Sequence, residues 1–416
     1  NNEIFFSSEM SSLVKYSGNN YSTEKESIEK LLIFGGHHYN FDFIKGIKTV
    51  QPGELIEVDL MKNNQIKNIK FNYKNLTEFT NIDFEELLIE VISDHLDADT
   101  PVDLFLSGGL DSSILALIIK NKLKRDVRHF SMSFENKSYD ESENIIKISD
   151  SLHLKSHIFS FSENNLHNYV NDALRNMHSL VLDYSFVPTF LLSKEASKHT
   201  KAVLSGDGAD ELFGGYEWYR GLKYFNLLSF TTKKIIMASV NKIAFKQNRY
   251  SYLSLSKKIN YFFKYMAEDP YVQMLVWQSP YQNFDEKKVD LISEGISKYI
   301  NSNISLEENY RNLDLNYFLY TNVLPKVDIA SMSNSLEVRP PYLDNRIVNF
   351  AKNNLESNKV GYFRTKKYLR NYIDSTELKF LNNLPKKGFG FPISLWLEMY
   401  GMDEIKQLLK EKQLFH

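Results

Sequence analysis

The sequence predicts an α/β protein built on a parallel sheet, with a helical C-terminal half and a small N-terminal β segment. Three observations support this fold class. Apolar strand-like segments alternate with helical segments between residues 83 and 204, strand signals fade after residue 215, and two glycine- and carboxylate-rich turns each follow an apolar strand. A length of 416 residues suggests two or three domains at roughly 150 residues each.

The N-terminal segment, residues 1–60, is predicted to consist of short strands and turns. Residues 3–6 (EIFF) look like a strand, and residues 54–58 (ELIEV) alternate as a half-buried strand does. Residues 61–82 are rich in Asn and Lys, which predicts a linker.

The main domain is predicted to begin at Asp83. This residue is a suitable helix N-cap, because Glu85 and Glu86 follow it in the first turn. The succession of strands and helices that follows predicts βαβ units, whose strands all end at the same edge of a parallel sheet. The predicted strands are 103–106, 127–134, 157–161 and 201–204, and the predicted helices are 114–119, 140–154, 166–177 and 189–199.

The composition excludes several classes of protein. The 50 basic and 52 acidic side chains give a net charge of −2, which indicates neither a nucleic-acid nor a membrane partner. The absence of cysteine excludes disulfides, thiolate metal sites and a cysteine nucleophile within this sequence. No apolar run approaches the ~18 residues that span a bilayer, and no secretory signal opens the sequence, so we expect a cytoplasmic protein.

The segment 217–268 has an unusual charge pattern. It carries ten Lys and Arg side chains among Tyr, Phe and Leu, with no acidic residue between its two ends. Such a segment is either a surface for a polyanion or a solvated helical face above core aromatics.

The first turn that indicates chemistry is residues 106–113 (LSGGLDSS), between a strand and a helix. Its glycines let the backbone approach a ligand, and the helix N-terminus presents unpaired N–H groups to an anion. Asp111 would repel a phosphate unless Mg²⁺ bridged the two. The alternative is an ordinary connection in which Asp111 favours the helix start. The Walker pattern G-x-x-x-x-G-K-S/T is absent, which excludes a P-loop NTPase.

The second turn is residues 204–216 (LSGDGADELFGGY), again after an apolar strand. Its three carboxylates crowd one another, and Mg²⁺ would relieve their repulsion. Because neighbouring parallel strands end at one edge, the two turns can face a single ligand. We therefore expect Asp111 and Asp210 to share a metal ion. The alternative is an acidic loop with structural glycines.

Two further motifs lie in the C-terminal half. Residues 385–392 (PKKGFGFP) form a loop that can bring Lys386 to a phosphate, or else an exposed turn with a lysine pair. Residues 326–344 (KVDIASMSNSLEVRPPYLD) predict a helix that ends before the proline pair. Four charged side chains of this motif are expected to form ion pairs, either near the site or as ordinary helix-end pairs: Asp328, Glu337, Arg339 and Asp344.

Together these motifs resemble the asparagine synthetase family. Residues 106–113 resemble its ATP-pyrophosphatase loop S-G-G-x-D-S, and residues 207–211 match its second acidic turn. The resemblance runs over almost the whole chain in the expected order. Further motifs also match: residues 335–344 are similar to S-L-E-x-R-x-P-F-L-D, and residues 385–392 are similar to P-K-x-G-F-G-x-P. Residues 139–142 and 188–189 also fit the family.

The front of the sequence extends this resemblance. Residues 6–13 and 46–53 resemble the tail of the family's N-terminal glutamine amidotransferase domain, an Ntn-type domain whose cysteine releases ammonia from glutamine. The resemblance implies that residues 1–60 are a remnant of that domain, 61–82 a linker, and 83–416 an ATP-dependent synthetase domain with an ATP-pyrophosphatase (adenine nucleotide alpha hydrolase-like) fold. Because cysteine is missing, we expect either a fragment of a longer protein or a degenerate front.

The resemblance also implies ATP and Mg²⁺ as cofactors. Mg²⁺ would be held by Asp111 and Asp210, Lys386 would stabilise charged transition states, and Asp207 would assist adenylation or accept a proton. The residues implied for ATP fall into two groups: Ser107, Gly108, Gly109, Asp111 and Ser112 around the triphosphate, and Leu106, Met132, Ser205 and Gly206 around the adenine.

The implied activity is that of an AMP-forming carbon–nitrogen ligase of amino-acid biosynthesis. A carboxylate would attack the α-phosphate to give an adenylate and pyrophosphate, and ammonia, glutamine-derived in the family, would then displace AMP. The acceptor stays open between aspartate, a sugar uronate of surface polysaccharide synthesis, and an internal acid in a β-lactam or lasso-peptide cyclase. Residues 178–185 (HSLVLDYS) keep only Asp183 and Ser185 of the family's D-E-P-x-x-D-P-S.

Two other classes remain as alternatives: a nucleotide-binding homologue without activity, and sulfur transfer on tRNA. The expected partners are a small-molecule carboxylate and an ammonia or amine donor. The oligomeric state is open, with a homodimer among the options.

Overall fold

The computed structural model describes most of the chain, with gaps that include the loop around Lys386. The described residues are 3–16, 22–23, 25–36, 43–62, 65–70, 83–229, 231–233, 235–236, 262, 266–281, 284–354, 364–384 and 390–401. The predictions for Lys386 and for most of the basic segment 217–268 therefore lie outside the described residues.

The described residues form seven strands and sixteen α-helices. The strands are β1 (Glu54–Asp59), β2 (Gln65–Lys70), β3 (Val102–Phe105), β4 (Arg128–Phe134), β5 (Lys155–Phe161), β6 (Ala202–Leu204) and β7 (Glu337–Arg339). The helices are α1 (Met10–Tyr16), α2 (Lys25–Phe34), α3 (Phe84–Leu96), α4 (Leu110–Leu117), α5 (Ser142–Leu152), α6 (Leu166–Arg175), α7 (Phe186–Ala196), α8 (Ala209–Phe213), α9 (Glu217–Leu227), α10 (Pro270–Gln278), α11 (Glu286–Ile296), α12 (Leu306–Leu313), α13 (Leu324–Met332), α14 (Asn345–Asn353), α15 (Lys367–Ile373) and α16 (Ile393–Trp396).

The main sheet has five parallel strands in the order β5-β4-β3-β6-β7. The chain leaves β3 for β4 and β5 on one side and later returns to β6 and β7 on the other. In open parallel sheets, ligands bind outside the carboxyl ends of the strands at such a switch point. The turns that follow β3 and β6 meet there, as the sequence predicts.

Helices cover both faces of this sheet. Leu104 of β3 and Leu204 of β6 pack into a core with α3, α4 and α14, whereas Phe130 of β4 and Val203 of β6 pack against α6 and α7 on the other face. Burial on both faces explains why β6, at the centre of this packing, is apolar and buried at all three positions. The predicted α/β class, with its parallel sheet and helical C-terminal half, is confirmed.

A second core holds the helical half together. It joins α9, α10, α11 and α12 around Trp277 and also receives Phe34 of α2. A ten-residue π-helical segment, Asp314–Val323, connects α12 directly to α13, so that one continuous helical rod runs from Leu306 to Met332. None of the described helices is long and apolar enough to cross a membrane.

The N-terminal segment differs from the sequence-based prediction. Residues 3–6 form no strand, and Phe6 is 93% exposed, because none of the seven described strands pairs with this stretch. Two helices, α1 and α2, occupy part of the segment that was predicted to contain only strands and turns. The strand predicted at 54–58 is confirmed as β1, but it pairs antiparallel with β2, which lies inside the predicted linker.

Candidate active site

The turn after β3 presents a helix N-terminus to the sheet edge. Helix α4 begins at Leu110, and its N-cap Gly109 provides no side chain to satisfy the first N–H groups. Ser107 and Ser112 hold the turn, because their hydroxyl oxygens are 3.2 Å apart and the Ser112 hydroxyl also accepts from the Ser107 N–H. A helix start with open N–H groups and hydroxyls is suited to bind an anion.

The turn after β6 packs directly against the first turn. A Cβ on Gly206 would stand 3.0 Å from Cβ of Asp111 and 3.1 Å from the Ser112 nitrogen, so glycine lets the two turns approach this closely without a shift. Within the second turn the Ser205 hydroxyl donates to Asp207 Oδ2 at 2.7 Å. The two predicted turns therefore form one continuous surface.

A lysine joins Asp111 to Asp210. The Lys366 ammonium donates to Oδ2 of Asp111 and lies 2.6 Å from Oδ1 of Asp210. Burial alone would lower the pKa of Lys366, but the two carboxylates outweigh it and raise that pKa above its usual value. We call these three side chains the paired-acid centre.

The backbone holds Lys366 in place at some energetic cost. Lys366 has φ +53°, a left-handed conformation that costs a non-glycine residue about 1–2 kcal/mol, and its N–H donates to Gly214 O at 3.3 Å. Gly215, which follows Gly214 in the chain, has no room for a side chain, because a Cβ would lie 1.8 Å from Asp210 Oδ1 and 2.2 Å from Lys366 Cε. Strain at a buried charged residue is typical of functional sites.

The paired-acid centre also suits a divalent cation. Mg²⁺ is usually bound by one or two protein carboxylates together with substrate phosphates and water. Asp111 and Asp210 already converge on one positive charge, so their oxygens can share a metal ion in its place. Among the described residues no three His, Asp or Glu side chains gather around one point.

One cavity of about 930 Å³ unites the predicted site. It opens at the sheet edge and extends to the helical half, and every predicted site residue within the described part of the chain contributes to its lining. These residues are Leu106, Ser107, Gly108, Gly109, Asp111, Ser112, Met132, Ser205, Gly206, Asp207 and Asp210.

The motif at 335–344 contacts both turns and helps to position them. The buried Tyr342 hydroxyl donates to the Asp111 carbonyl at 3.1 Å, and Leu343 packs where a Cβ of Gly208 would otherwise lie. Its charges form two local groups instead of one network near the site. Arg339 pairs with Glu337 at 2.8 Å, and the other group, Asp344 with Arg346, lies against α3.

Comparison with known proteins identifies the chain. The asparagine synthase family model matches residues 83–415, which is most of the sequence. The chain belongs to the asparagine synthase family. Because the matched region begins at residue 83, the assignment of residues 1–60 to an amidotransferase remnant stays a prediction.

Individual relatives support the same family. Glutamine-hydrolyzing asparagine synthetase 1 of Bacillus subtilis is 25% identical over 99% of this chain and 66% of its own length. Amidase chyE of Penicillium rubens is 24% identical over 89% of this chain and 62% of its own length. Glutamine-hydrolyzing asparagine synthetase 3 of Bacillus subtilis is 26% identical over 79% and 52%. The chain thus spans about half to two thirds of the length of these relatives.

Beyond the paired-acid centre, this asparagine synthase-family chain contains a second group of buried acids. Asp314 accepts hydrogen bonds from Trp218 Nε1 at 3.2 Å, from Gln278 Nε2 at 2.6 Å and from the Tyr219 hydroxyl. Glu211 accepts from the Tyr216 hydroxyl at 2.6 Å. We call these side chains the aromatic-acid cluster: Glu211, Tyr216, Trp218, Tyr219, Gln278 and Asp314.

The hydrogen bonds described above for these two acids come from neutral groups, and the pKa values of both acids rise. Burial, reinforced by the neighbouring Asp210, raises the pKa of Glu211 to about 8. Burial also raises the pKa of Asp314 to about 7, although its three donors oppose the shift. Neither the cluster nor Lys366 was predicted from the sequence. Glu211 does lie in the acidic second turn, whereas no local pattern in the sequence distinguishes Asp314 or Lys366.

The stretch that departs from the family pattern lies at the same cavity. Asp183, Tyr184 and Ser185 contribute to its lining. Asp183 is fixed by hydrogen bonds from the Ser185 N–H and hydroxyl at 2.8 and 2.7 Å, and it faces the Lys326 ammonium at 3.7 Å. A difference in this stretch therefore changes the shape and charge of the cavity.

Proposed function

We propose that this protein forms an amide bond at the expense of ATP, by adenylation of a carboxylate followed by attack of ammonia or an amine. The observation that carries the proposal is the paired-acid centre beside an open helix N-terminus in one cavity. This combination suits a nucleotide triphosphate with its metal ion, and membership of the asparagine synthase family supports the reaction class.

The first turn is proposed to bind the phosphates. The N–H groups at the start of α4 and the hydroxyls of Ser107 and Ser112 are hydrogen-bond donors for phosphate oxygens. The adenine is proposed to lie near Leu106, Met132, Ser205 and Gly206, which line the cavity at the ends of β3, β4 and β6.

Asp111 and Asp210 are proposed to hold Mg²⁺, which would neutralise phosphate charge during the reaction. With a metal ion as the countercharge to these carboxylates, the Lys366 ammonium would be available to donate to phosphate oxygens. Either cation, the ammonium or the metal ion, compensates the two carboxylate charges in this partly buried site.

The chemistry consists of two balanced steps. A carboxylate oxygen of the acceptor attacks the α-phosphorus, and the bond from that phosphorus to pyrophosphate breaks. The amine nitrogen then attacks the acyl carbon, loses a proton, and expels AMP. Asp207 is proposed to assist adenylation or accept the proton, and Lys386 to stabilise the negative charge that develops on the phosphates.

The amine is proposed to be free ammonia or a primary amine for this sequence as it stands. Glutamine hydrolysis in this family requires a cysteine nucleophile by resemblance, and these 416 residues contain none. The acceptor remains open between aspartate, a sugar uronate and an internal acid of a cyclase.

Pyrophosphate release tests this proposal. The purified chain, supplied with MgATP and ammonium chloride, should release pyrophosphate only when an acceptor acid from a panel of amino acids, uronates and dicarboxylates is present. Asp111→Asn should reduce this release at least a hundredfold, because half of the metal site is lost. Asp97→Asn, an exposed substitution at the end of α3, is the matched control.

Three outcomes would contradict the proposal. They are no acid-dependent release from folded protein, unchanged release in Asp111→Asn, or equal turnover when glutamine replaces ammonium. The first refutes the reaction, the second the metal assignment, and the third the amine source.

A further inference from the structure

An aromatic wall lines the cavity on the side of the helical half. Tyr216 and Trp218 are stacked, with ring centroids 3.9 Å apart and planes inclined by 19°. Phe318 stands edge-on to both, at 5.7 Å from Tyr216 and 5.4 Å from Trp218. All three rings are half-buried and contribute to the cavity lining. We call these three side chains the aromatic wall.

The aromatic wall is held rigidly by the acids behind it. The Trp218 indole N–H donates to Asp314 and the Tyr216 hydroxyl donates to Glu211, so that the polar end of each ring is anchored to a buried carboxyl group. Phe318 belongs to the continuous helical rod that also carries Asp314. Rings fixed before a ligand arrives need little ordering on binding, which favours affinity and selectivity.

The nucleotide does not account for this wall. The residues proposed for ATP come from the ends of β3, β4 and β6 and the start of α4. Tyr216 ends the second turn as the N-cap of α9, whereas Trp218 lies within α9 and Phe318 within the rod of the helical half. The cavity of about 930 Å³ is lined by residues of both regions, so a ligand on the aromatic wall would share one cavity with the nucleotide. The wall begins at Tyr216, one residue after Gly215, which touches the paired-acid centre.

Polar groups line the same cavity as the aromatic wall. Asp183, Ser185 and Lys326 line the same cavity, with Asp183 and Lys326 facing each other at 3.7 Å. Their carboxylate, hydroxyl and ammonium groups can exchange hydrogen bonds with hydroxyl groups of a ligand. An apolar ring surface with fixed hydrogen-bonding groups nearby is suited to a hydroxylated ring, whose faces are apolar and whose rim is polar.

We propose that the acceptor is a carboxylic acid built on a hydroxylated six-membered ring, of the hexuronate type, and that its ring packs against the aromatic wall. An open-chain acid such as aspartate has no ring face to cover these side chains. This inference rests on the proposed function, because the carboxylate of such an acid is the group that is adenylated. Trp218 then determines specificity by touching the substrate.

The test compares acceptor acids and wall variants. Pyrophosphate release is measured with saturating MgATP and ammonium chloride, using glucuronate, galacturonate and UDP-glucuronate against aspartate and glutamate. At least one ring acid should exceed both open-chain acids in kcat/KM by tenfold or more. Trp218→Leu and Phe318→Leu should each raise KM for the ring acid about three- to tenfold, the range expected for one aromatic contact.

Two controls separate this effect from damage to the fold. Tyr224→Leu changes another aromatic side chain of α9 that is not part of the cavity lining, and it should leave the acceptor KM unchanged. KM for ATP should stay at the wild-type value in both wall variants, because the nucleotide residues lie on the sheet.

The outcomes separate the inference from the proposed function. Preference for aspartate or glutamate, or wall variants that change neither acceptor KM nor the ranking of acids, would overturn the inference and leave the ligase assignment intact. Pyrophosphate release with none of the acids would overturn the proposed function itself, and the inference with it.

Discussion

Asp210 and Glu211 are neighbours in the chain, but they belong to two groups of acids with opposite electrostatic behaviour. Asp210 is part of the paired-acid centre, where the buried Lys366 ammonium compensates two carboxylates. Glu211 is part of the aromatic-acid cluster, where the hydrogen-bond donors are phenol, indole and amide groups. The cation in the first group stabilises the ionised form, whereas burial in the second stabilises the protonated form.

This difference suggests two roles: the paired-acid centre binds a cation, and the aromatic-acid cluster fixes the shape of the cavity. The paired-acid centre is suited to exchange one cation for another, because two ionised oxygens remain directed at a single point. The aromatic-acid cluster instead uses its acids as acceptors that orient Tyr216 and Trp218. Three substitutions test this comparison, in decreasing order of expected effect.

Lys366→Met should have the largest effect, because it leaves two partly buried carboxylates without their cation. We expect the free energy of unfolding to fall by about 3 kcal/mol, as for other broken buried ion pairs, and pyrophosphate release to fall at least a hundredfold. Urea unfolding with and without MgCl₂ checks this, because Mg²⁺ should restore stability to the variant far more than to the wild type.

Lys367→Met provides the matched control for this prediction. Lys367 is the next residue and is exposed, so its substitution should change neither stability nor turnover. If Lys366→Met unfolds as the wild type does and shows no response to Mg²⁺, the paired-acid centre is not a cation site.

Asp314→Asn should have a smaller effect that depends on pH. The folded pKa of Asp314, about 7, lies above its usual value of 3.8, so the folded state binds the proton more tightly than the unfolded state. The stability contributed by this proton is fully present below pH ~4 and is lost as pH rises towards ~7. The wild type should therefore lose stability over this window, and Asp314→Asn should show a flatter profile.

The magnitude of this effect is set by hydrogen bonding. At low pH the variant should be less stable by about 1–2 kcal/mol, because the Asn amide nitrogen accepts no hydrogen bond and so leaves donors around position 314 without an acceptor. Denaturant midpoints from pH 4 to 8 measure both quantities. An unchanged slope with pH would show that Asp314 is ionised in the folded protein and would remove the contrast between the two groups.

Tyr342→Phe should have the smallest effect. It removes one neutral hydrogen bond to the Asp111 carbonyl, which is worth about 1 kcal/mol, and should raise KM for ATP a few fold with little change in kcat. Tyr372→Phe is the matched control, because it removes a hydroxyl that donates to Glu85 at 2.7 Å outside the cavity. An equal change in KM in both variants would mean that Tyr342 does not position the first turn.

Much of the α/β core was predictable because its signals are local. The central strands β3 and β6 are short and mainly apolar, and Asp83 is confirmed as the N-cap of α3. The turns after β3 and β6 meet because neighbouring parallel strands end at one edge. The strand β7 was missed, since it has three residues of which Glu337 and Arg339 are charged.

Two kinds of feature were not predicted: contacts between residues far apart in the chain, and one helix whose pattern was present in the sequence. Lys366 reaches Asp111 across 255 positions, and no local pattern announces such a contact. Helix α2 did carry a signal, because Ser27, Leu31 and Phe34 recur at helical spacing and are buried. Residues 3–6 show the reverse case, a β-like composition without a neighbouring strand to pair with.

The lack of space at Gly215 gives the paired-acid centre a recognisable fingerprint in sequence. Because any side chain there would collide with both Asp210 and Lys366, a glycine five positions after the second aspartate records the presence of the lysine some 150 residues later. A homologue with a larger residue at this position should also have lost the lysine or moved the aspartate. One small residue thus reports on a tertiary contact that no local motif contains.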